Sequence, residues 1–206
     1  MEPFIRVTGP AAALPMANVD TDVIMPKQFL KGIDRAGLAA GAFYDLRFDG
    51  AGQSRPDFVL NRPEWRDARF LVAGPNFGCG SSREHAVWGL MQLGIRAVLG
   101  TSFAGIFADN AANNGLLLVS LSGDEIGAVM ACAADPARNR LTVDLTAETV
   151  TGDGLDLRFT VDRLRRDALI RGLDAIGTTL ERADAIRTFQ RAHFAANPWL
   201  AEHPTR

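Results

Sequence analysis

Cysteine is scarce in this 206-residue chain, which has only Cys79 and Cys132. Two thiols make no disulfide framework, and they fall short of the roughly three or four thiolates that hold an iron–sulfur cluster. Any such cluster would have to sit on another chain. Histidine is almost as rare: His85, His193 and His203 show no metal-ligand spacing, so no metal site is expected. Charge of one sign is missing too. With 22 basic and 24 acidic side chains the formal net charge is −2, which argues against a broad footprint for nucleic acid or an anionic membrane. No segment approaches the roughly 18 consecutive apolar residues of a membrane span. Residues 1–20 lack a basic opening stretch, and acid and proline interrupt them, so they do not read as a signal peptide. A cytoplasmic protein is the expectation.

What is present is an ordinary globular composition, 47% hydrophobic and 22% charged. It predicts one domain over residues 1–206, with its core at about 4–194 and a short tail at 195–206. Residues 4–7 form a strand candidate ended by a Gly9-Pro10 break. Residues 17–26 (ANVDTDVIMP) are a polar turn running into a short apolar stretch, short helical turns fit residues 27–46, and 49–56 reads as a surface loop. The pattern then sharpens into strand (69–73), glycine-rich loop (74–80), helix (84–93) and strand (95–99). A helix over 102–112, stopped by Asn113-Asn114-Gly115, leads to a strand at 116–120. A helix over 124–134 precedes β-rich runs at 141–145, 149–150 and 157–161, with a Gly152-Asp153-Gly154 turn between the last two. Asp162 caps a helix reaching Arg171, and a final helix covers 181–195. The alternation predicts an α/β fold with a β-rich insertion.

The stretch that carries chemistry is FGCGSSREHA, residues 77–86. Gly78 and Gly80 allow positive φ and a close approach of backbone to a bound group. Ser81 and Glu84 match a capping box, with Ser82 as the alternative cap. A glycine loop opening a helix offers unpaired N–H groups to a carboxylate or phosphate. Arg83 is unfavourable there on dipole grounds, but its fork suits a carboxylate. A serine hydroxyl beside it can be stabilised as an oxyanion and act as a base. The same residues also fit a well-capped helix after a tight turn with Arg83 solvated. The stretch has no G-K-[ST] ending and no G-x-S-x-G elbow, which excludes a Walker-type loop and the common serine-hydrolase arrangement.

FGCGSSREHA closely resembles the signature of the carboxyl-terminal, swivelling domain of aconitase-type hydro-lyases, and is closer still to that of the small-subunit family of bacterial 3-isopropylmalate dehydratases. ANVDTDVIMPKQFLK (17–31), PDFVLN (56–61), SFAGIFADNAANNGLL (102–117) and GLDAIGTTL (172–180) agree in the same order. The resemblance implies a three-layer β/β/α swivelling domain that covers the active site of a large subunit. That partner holds a [4Fe–4S] cluster whose open iron binds substrate, and this chain binds no cofactor. The implied reaction interconverts 2- and 3-isopropylmalate through 2-isopropylmaleate, in leucine biosynthesis, within a heterodimeric lyase.

By motif match, Ser81 is the implied base, Ser82 and the loop amides stabilise it, and Arg83 and Gly80 meet a substrate carboxylate. Glu84 and His85 either support Ser81 and Arg83 or act directly. Asp20, Thr21 and Asp22 are Asx-type turn formers by themselves. By resemblance, Asp20 helps order the serine loop, and Thr21 and Asp22 lie at the substrate. Leu30 suits an isopropyl group, and Lys31 either pairs with a carboxylate or is solvated. Arg163, Arg165, Arg166 and Arg171 lack accompanying aromatics and read as a solvated face or interface. Two further functions fit: a sister hydro-lyase acting on citramalate or dimethylmalate, and a stand-alone carboxylate-binding regulatory module.

Overall fold

The computed structural model describes residues 1–30 and 35–200. The strands among them are β1 (Arg6–Leu14), β2 (Phe70–Ala73), β3 (Ala97–Gly100), β4 (Leu117–Ser120), β5 (Arg140–Asp144), β6 (Thr149–Gly152) and β7 (Leu155–Arg158). The helices are α1 (Thr21–Ile24), α2 (Tyr44–Arg47), α3 (Glu84–Gln92), α4 (Gly105–Asn114), α5 (Gly123–Ala134), α6 (Arg163–Arg171), α7 (Ala175–Leu180) and α8 (Ala183–Ala196), with short 3-10 turns between.

Strand β1 runs straight through Gly9-Pro10, where the sequence predicted a break. The dipeptide marks a change of partner instead. Arg6 to Pro10 pair antiparallel with β5, and Ala11 to Leu14 pair parallel with β2. Pro10 has no N–H to contribute; its carbonyl accepts from the Arg69 N–H at 2.8 Å, and the next N–H, on Ala11, is donated to the Asn139 carbonyl at 2.7 Å. The resulting sheet runs β4-β3-β2-β1-β5-β6-β7, parallel from β4 to β1 and antiparallel from β1 to β7.

Alternation along the short parallel strands sends side chains to two cores. Phe70, Val72, Ala97, Leu99, Leu117 and Val119 pack with Leu141, Val143 and Val150 of the antiparallel half and with Ile126 and Val129 of α5. Leu71, Ala73 and Val98 face the opposite way, against Ile24, Val87, Leu90, Phe107 and Ala111 of α1, α3 and α4. The antiparallel half therefore folds over one face of the parallel half while these helices cover the other, giving the expected β/β/α layering. The fold is of the α/β class.

Trp65, 1% exposed, fastens the crossover point. Its Nε1 donates to the carbonyls of Ala11, on β1, and Ala133, near the end of α5, both at 2.9 Å. Other elements depart from expectation in small ways. Helix α7 was not foreseen, because AIGTTL is short and carries glycine and two threonines; Asp174 holds its start by accepting from the Gly177 N–H at 2.6 Å. The last helix extends to Ala196 and a 3-10 turn follows at Pro198–Leu200, so the predicted tail begins inside regular structure.

Two outcomes follow. Trp65→Phe keeps an aromatic ring but leaves both carbonyls without their donor, and should cost about 2–4 kcal/mol in urea unfolding. Hydrogen bonds from the Ser122 hydroxyl and N–H hold the Glu125 carboxyl below its usual range. A lowered folded-state value contributes stability above the ordinary carboxylate range and loses it as pH falls through the lowered value. The stability difference between wild type and Ser122→Ala should accordingly be full at neutral pH and shrink in acid, as read by unfolding at both.

Candidate active site

Two loops leave the carboxyl ends of β1 and β2 and zip together. The Asn18 N–H donates to the Pro75 carbonyl at 2.9 Å, the Gly78 N–H to Val19 at 2.7 Å, and the Thr21 N–H to Cys79 at 2.8 Å. Asn18 and Asn76 both lie in the left-handed region, with φ of 55° and 57°, and the Asn76 Nδ2 donates to the Asn18 Oδ1 at 2.9 Å. Asparagine tolerates this conformation better than most residues. Gly78 (φ 79°) passes so close to Phe107 that a Cβ would lie 2.2 Å from its ring, and Gly80 takes φ 92°. These positions require glycine, which is why the motif carries it.

Thr21 is the brace beneath the serine loop. It is 2% exposed, and its hydroxyl donates to the Ser81 carbonyl at 2.9 Å while accepting from the Ser81 N–H at 3.1 Å. Asp20 caps α1, accepting from the Val23 N–H at 2.7 Å. Asp22 forms an ion pair with Arg83, whose side chain is only 15% exposed. Ser81 and Ser82 are exposed, and neither hydroxyl makes a hydrogen bond among the described residues. The structure thus brings Asp20, Thr21, Asp22, Gly80, Ser81, Ser82 and Arg83 together across two loops about 60 residues apart in sequence.

The expected Ser81–Glu84 capping box is not formed. The residue preceding α3 is Arg83, with no side-chain cap, because Thr21 already holds the Ser81 backbone and keeps it out of capping geometry. The Glu84 carboxylate instead accepts from the Asn114 Nδ2 at 2.7 Å, and the Asn114 Oδ1 accepts from the Trp88 Nε1 at 2.8 Å. A capping box forms instead at Ser122–Glu125, at α5. His85 lies with its ring 4.8 Å from that of Trp88. Leu30 is half-buried against the helical core, and Lys31 falls outside the described residues. The Cys79 Sγ approaches the Asn18 carbonyl at 3.4 Å as part of the loop.

Asn76 and Asn114 carry structural roles at the site that the sequence reading missed. Asn76 sits in a Pro-Asn-Phe-Gly turn, whose composition is the signal for it; the sequence around Asn114 signals only a helix stop. Among the described residues, no group of three or more His, Cys, Asp or Glu is placed to hold a metal ion. Cys79 and Cys132 are both free, so the residues present do not fit an iron–sulfur cluster. What the arrangement offers is two exposed serine hydroxyls on the loop that carries the Asp22-paired Arg83 and leads into α3.

Comparison with known proteins gives the family. The family model of the aconitase C-terminal domain matches residues 1–124, and that of the C-terminal domain of the 3-isopropylmalate dehydratase small subunit matches residues 176–202. A 3-isopropylmalate dehydratase small subunit 1 from Mannheimia succiniciproducens is 54% identical, over 97% of this chain and 99% of its own length. A 3-isopropylmalate dehydratase small subunit from Phenylobacterium zucineum is also 54% identical, over 97% and 98%. The crystal structure of a 3-isopropylmalate dehydratase from Methanocaldococcus jannaschii superposes with a TM-score of 0.65 at 29% identity, covering 90% of this chain and 99% of the other. With an aconitase C-terminal-type fold and relatives matching nearly end to end, the chain belongs to the 3-isopropylmalate dehydratase small-subunit family.

Proposed function

We propose that this chain is the small subunit of a 3-isopropylmalate dehydratase, a hydro-lyase interconverting 2-isopropylmalate and 3-isopropylmalate through 2-isopropylmaleate in leucine biosynthesis. It acts as one swivelling domain in a heterodimer with a large subunit in the cytoplasm. Among the described residues, no helix is long and apolar enough to cross a membrane. The observation that carries the reading is the Thr21-braced serine loop, which presents two exposed hydroxyls next to an anchored arginine.

Dehydration removes a proton from the carbon next to a carboxylate and a hydroxide from its neighbour. Ser81, as its alkoxide, takes the proton and becomes the neutral hydroxyl. A serine alkoxide is scarcely populated near neutral pH unless the anion is stabilised, and the Arg83 guanidinium and the N–H groups opening α3 supply that stabilisation. Arg83 also receives a substrate carboxylate, with Gly80 leaving its backbone open to the same anion. Asp22 acts through Arg83 as a positioning residue, and Asp20 and Thr21 fix the loop beneath Ser81. On rehydration the proton held on Ser81 is returned to carbon. The departing hydroxide needs an electron-pair acceptor that the described residues do not form, and we assign the [4Fe–4S] cluster to the large subunit.

The decisive assay follows the double bond of 2-isopropylmaleate by ultraviolet absorbance, without oxygen, for this chain, a cluster-loaded large subunit, and the two mixed. Activity is expected only in the mixture, and Ser81→Ala should lower it by about 10²–10⁴-fold. Turnover of citramalate or dimethylmalate in place of 3-isopropylmalate would move the assignment to a sister hydro-lyase. Silence on all three with an intact cluster would favour a carboxylate-binding module. Thr21→Val, which removes the brace but keeps the shape, should lower kcat about 10²-fold through misplacement of Ser81, and Thr21→Ser should restore most of it.

A further inference from the structure

Glu84 opens α3 directly after Arg83, and a carboxylate at that place has two sets of donors to choose from. One set belongs to the serine loop behind it. The N–H groups of Ser82, Glu84 and His85 have no acceptor among the described residues, and the Ser81 and Ser82 hydroxyls are free as well. Unpaired donors at a helix start attract an anion, and S-x-x-E is the spacing at which a glutamate reaches back to them. The other donor is the amide of Asn114, the last residue of α4, and that is where the carboxylate lies.

The Asn114 amide has one possible orientation. Its Oδ1 accepts from the Trp88 Nε1 at 2.8 Å, and an indole N–H can only donate. The amide nitrogen must then face the other way, where it donates to the Asn110 carbonyl at 2.8 Å and to the Glu84 Oε1 at 2.7 Å. Glu84 and Trp88 stand at i and i+4 on one face of α3, so the amide bridges them lengthwise. Trp88 is held in turn by the Arg35 guanidinium, 4.3 Å from its ring centre. At its other end α4 packs on the serine loop, with the ring of Phe107 5.4 Å from that of Phe77 and pressed against Gly78. Asn114 is therefore fixed relative to both α3 and the loop.

We propose that Asn114 is a positioning residue for the reaction: it draws the Glu84 carboxylate forward along α3 and so keeps the serine loop clear of this chain's own anion. This rests on the function proposed above, in which Arg83 and the N–H groups opening α3 receive a substrate carboxylate and stabilise the Ser81 alkoxide. A released Glu84 would occupy those donors, oppose a second negative charge beside them and give Arg83 a carboxylate besides Asp22. Asn114 bonds to no residue of the serine loop among the described residues and acts through Glu84.

Asn114→Asp keeps the acceptor for Trp88 but turns the donor facing Glu84 into a like charge. Glu84→Gln supplies a donor in its turn, so the two together rebuild the bridge with donor and acceptor exchanged and the pair's total charge unchanged. Each chain is paired with the large subunit and assayed on 3-isopropylmalate, and amide exchange at Ser82 and His85 is followed on the chain alone. Asn114→Asp should lower kcat/KM about tenfold, mainly through KM, because an internal anion competes with the substrate. It should also slow exchange at both amides as Glu84 takes them up. With Glu84→Gln already present, Asn114→Asp should lower kcat/KM less than about twofold and leave exchange as it was. Asn114→Ala frees Glu84 without adding a charge; it should act in the same direction, and it stands in if Asn114→Asp does not fold. An equal fall in both backgrounds, no fall at all, or faster exchange at the two amides, the mark of simple loosening, would overturn the proposal. Inactivity of the unmodified pair would overturn the proposed function and this role for Asn114 with it; an active unmodified pair confines any failure to Asn114.

Discussion

The molecule is organised by a strand that cannot pair in one sense along its whole length. Pro10 withholds an N–H at the middle of β1, and the partner changes there from an antiparallel neighbour to a parallel one. Each half of the sheet then needs its own cover. The parallel half, apolar on both faces, takes helices on one side and the antiparallel half on the other. Trp65 reinforces the same place, tying β1 to α5 with a buried indole N–H. Because both loops of the site leave the carboxyl ends of β1 and β2, which are paired neighbours, the layering fixes the distance between them.

Within that frame the site is held mainly through backbone. Asn18, Val19 and Thr21 meet Pro75, Gly78 and Cys79 by main-chain hydrogen bonds, and the Thr21 hydroxyl completes the pairing at Ser81. The charged component is a single pair, Asp22 with Arg83, at the mouth of the loop. It leaves the guanidinium with further N–H groups beyond those facing Asp22.

Much of this was legible in the sequence, and the exceptions share a cause. The strand–helix–strand pattern around residues 69–99 and the Asp162 and Gly172 boundaries of α6 rest on local signals, and the elements formed close to where those signals lie. Gly9-Pro10 carried a local signal with a non-local meaning: a break in one strand's pairing and a handover between two look alike until the partners are known. The S-x-x-E match at Ser81 was a true pattern in the wrong place, overridden by Thr21 from 60 residues away. Ser122 and Glu125, with no such competitor, formed the box. Helix α7 lacked propensity and depended on one cap. The motif brought Ser81, Ser82 and Arg83 to notice, but that Thr21 is buried beneath them, and that Glu84 turns to Asn114, are tertiary facts that no spacing encodes.

One feature of the serine loop reaches beyond its own geometry. The bonds that shape it come from main-chain atoms, from the buried Thr21 and from the Asn18–Asn76 pair, while the outward Ser81 and Ser82 hydroxyls take no part in holding it among the described residues. The scaffold is indifferent to what those two positions carry. A lineage inheriting this loop is free to rewrite its outward chemistry one residue at a time without first solving the folding problem again, and that freedom ends at Thr21.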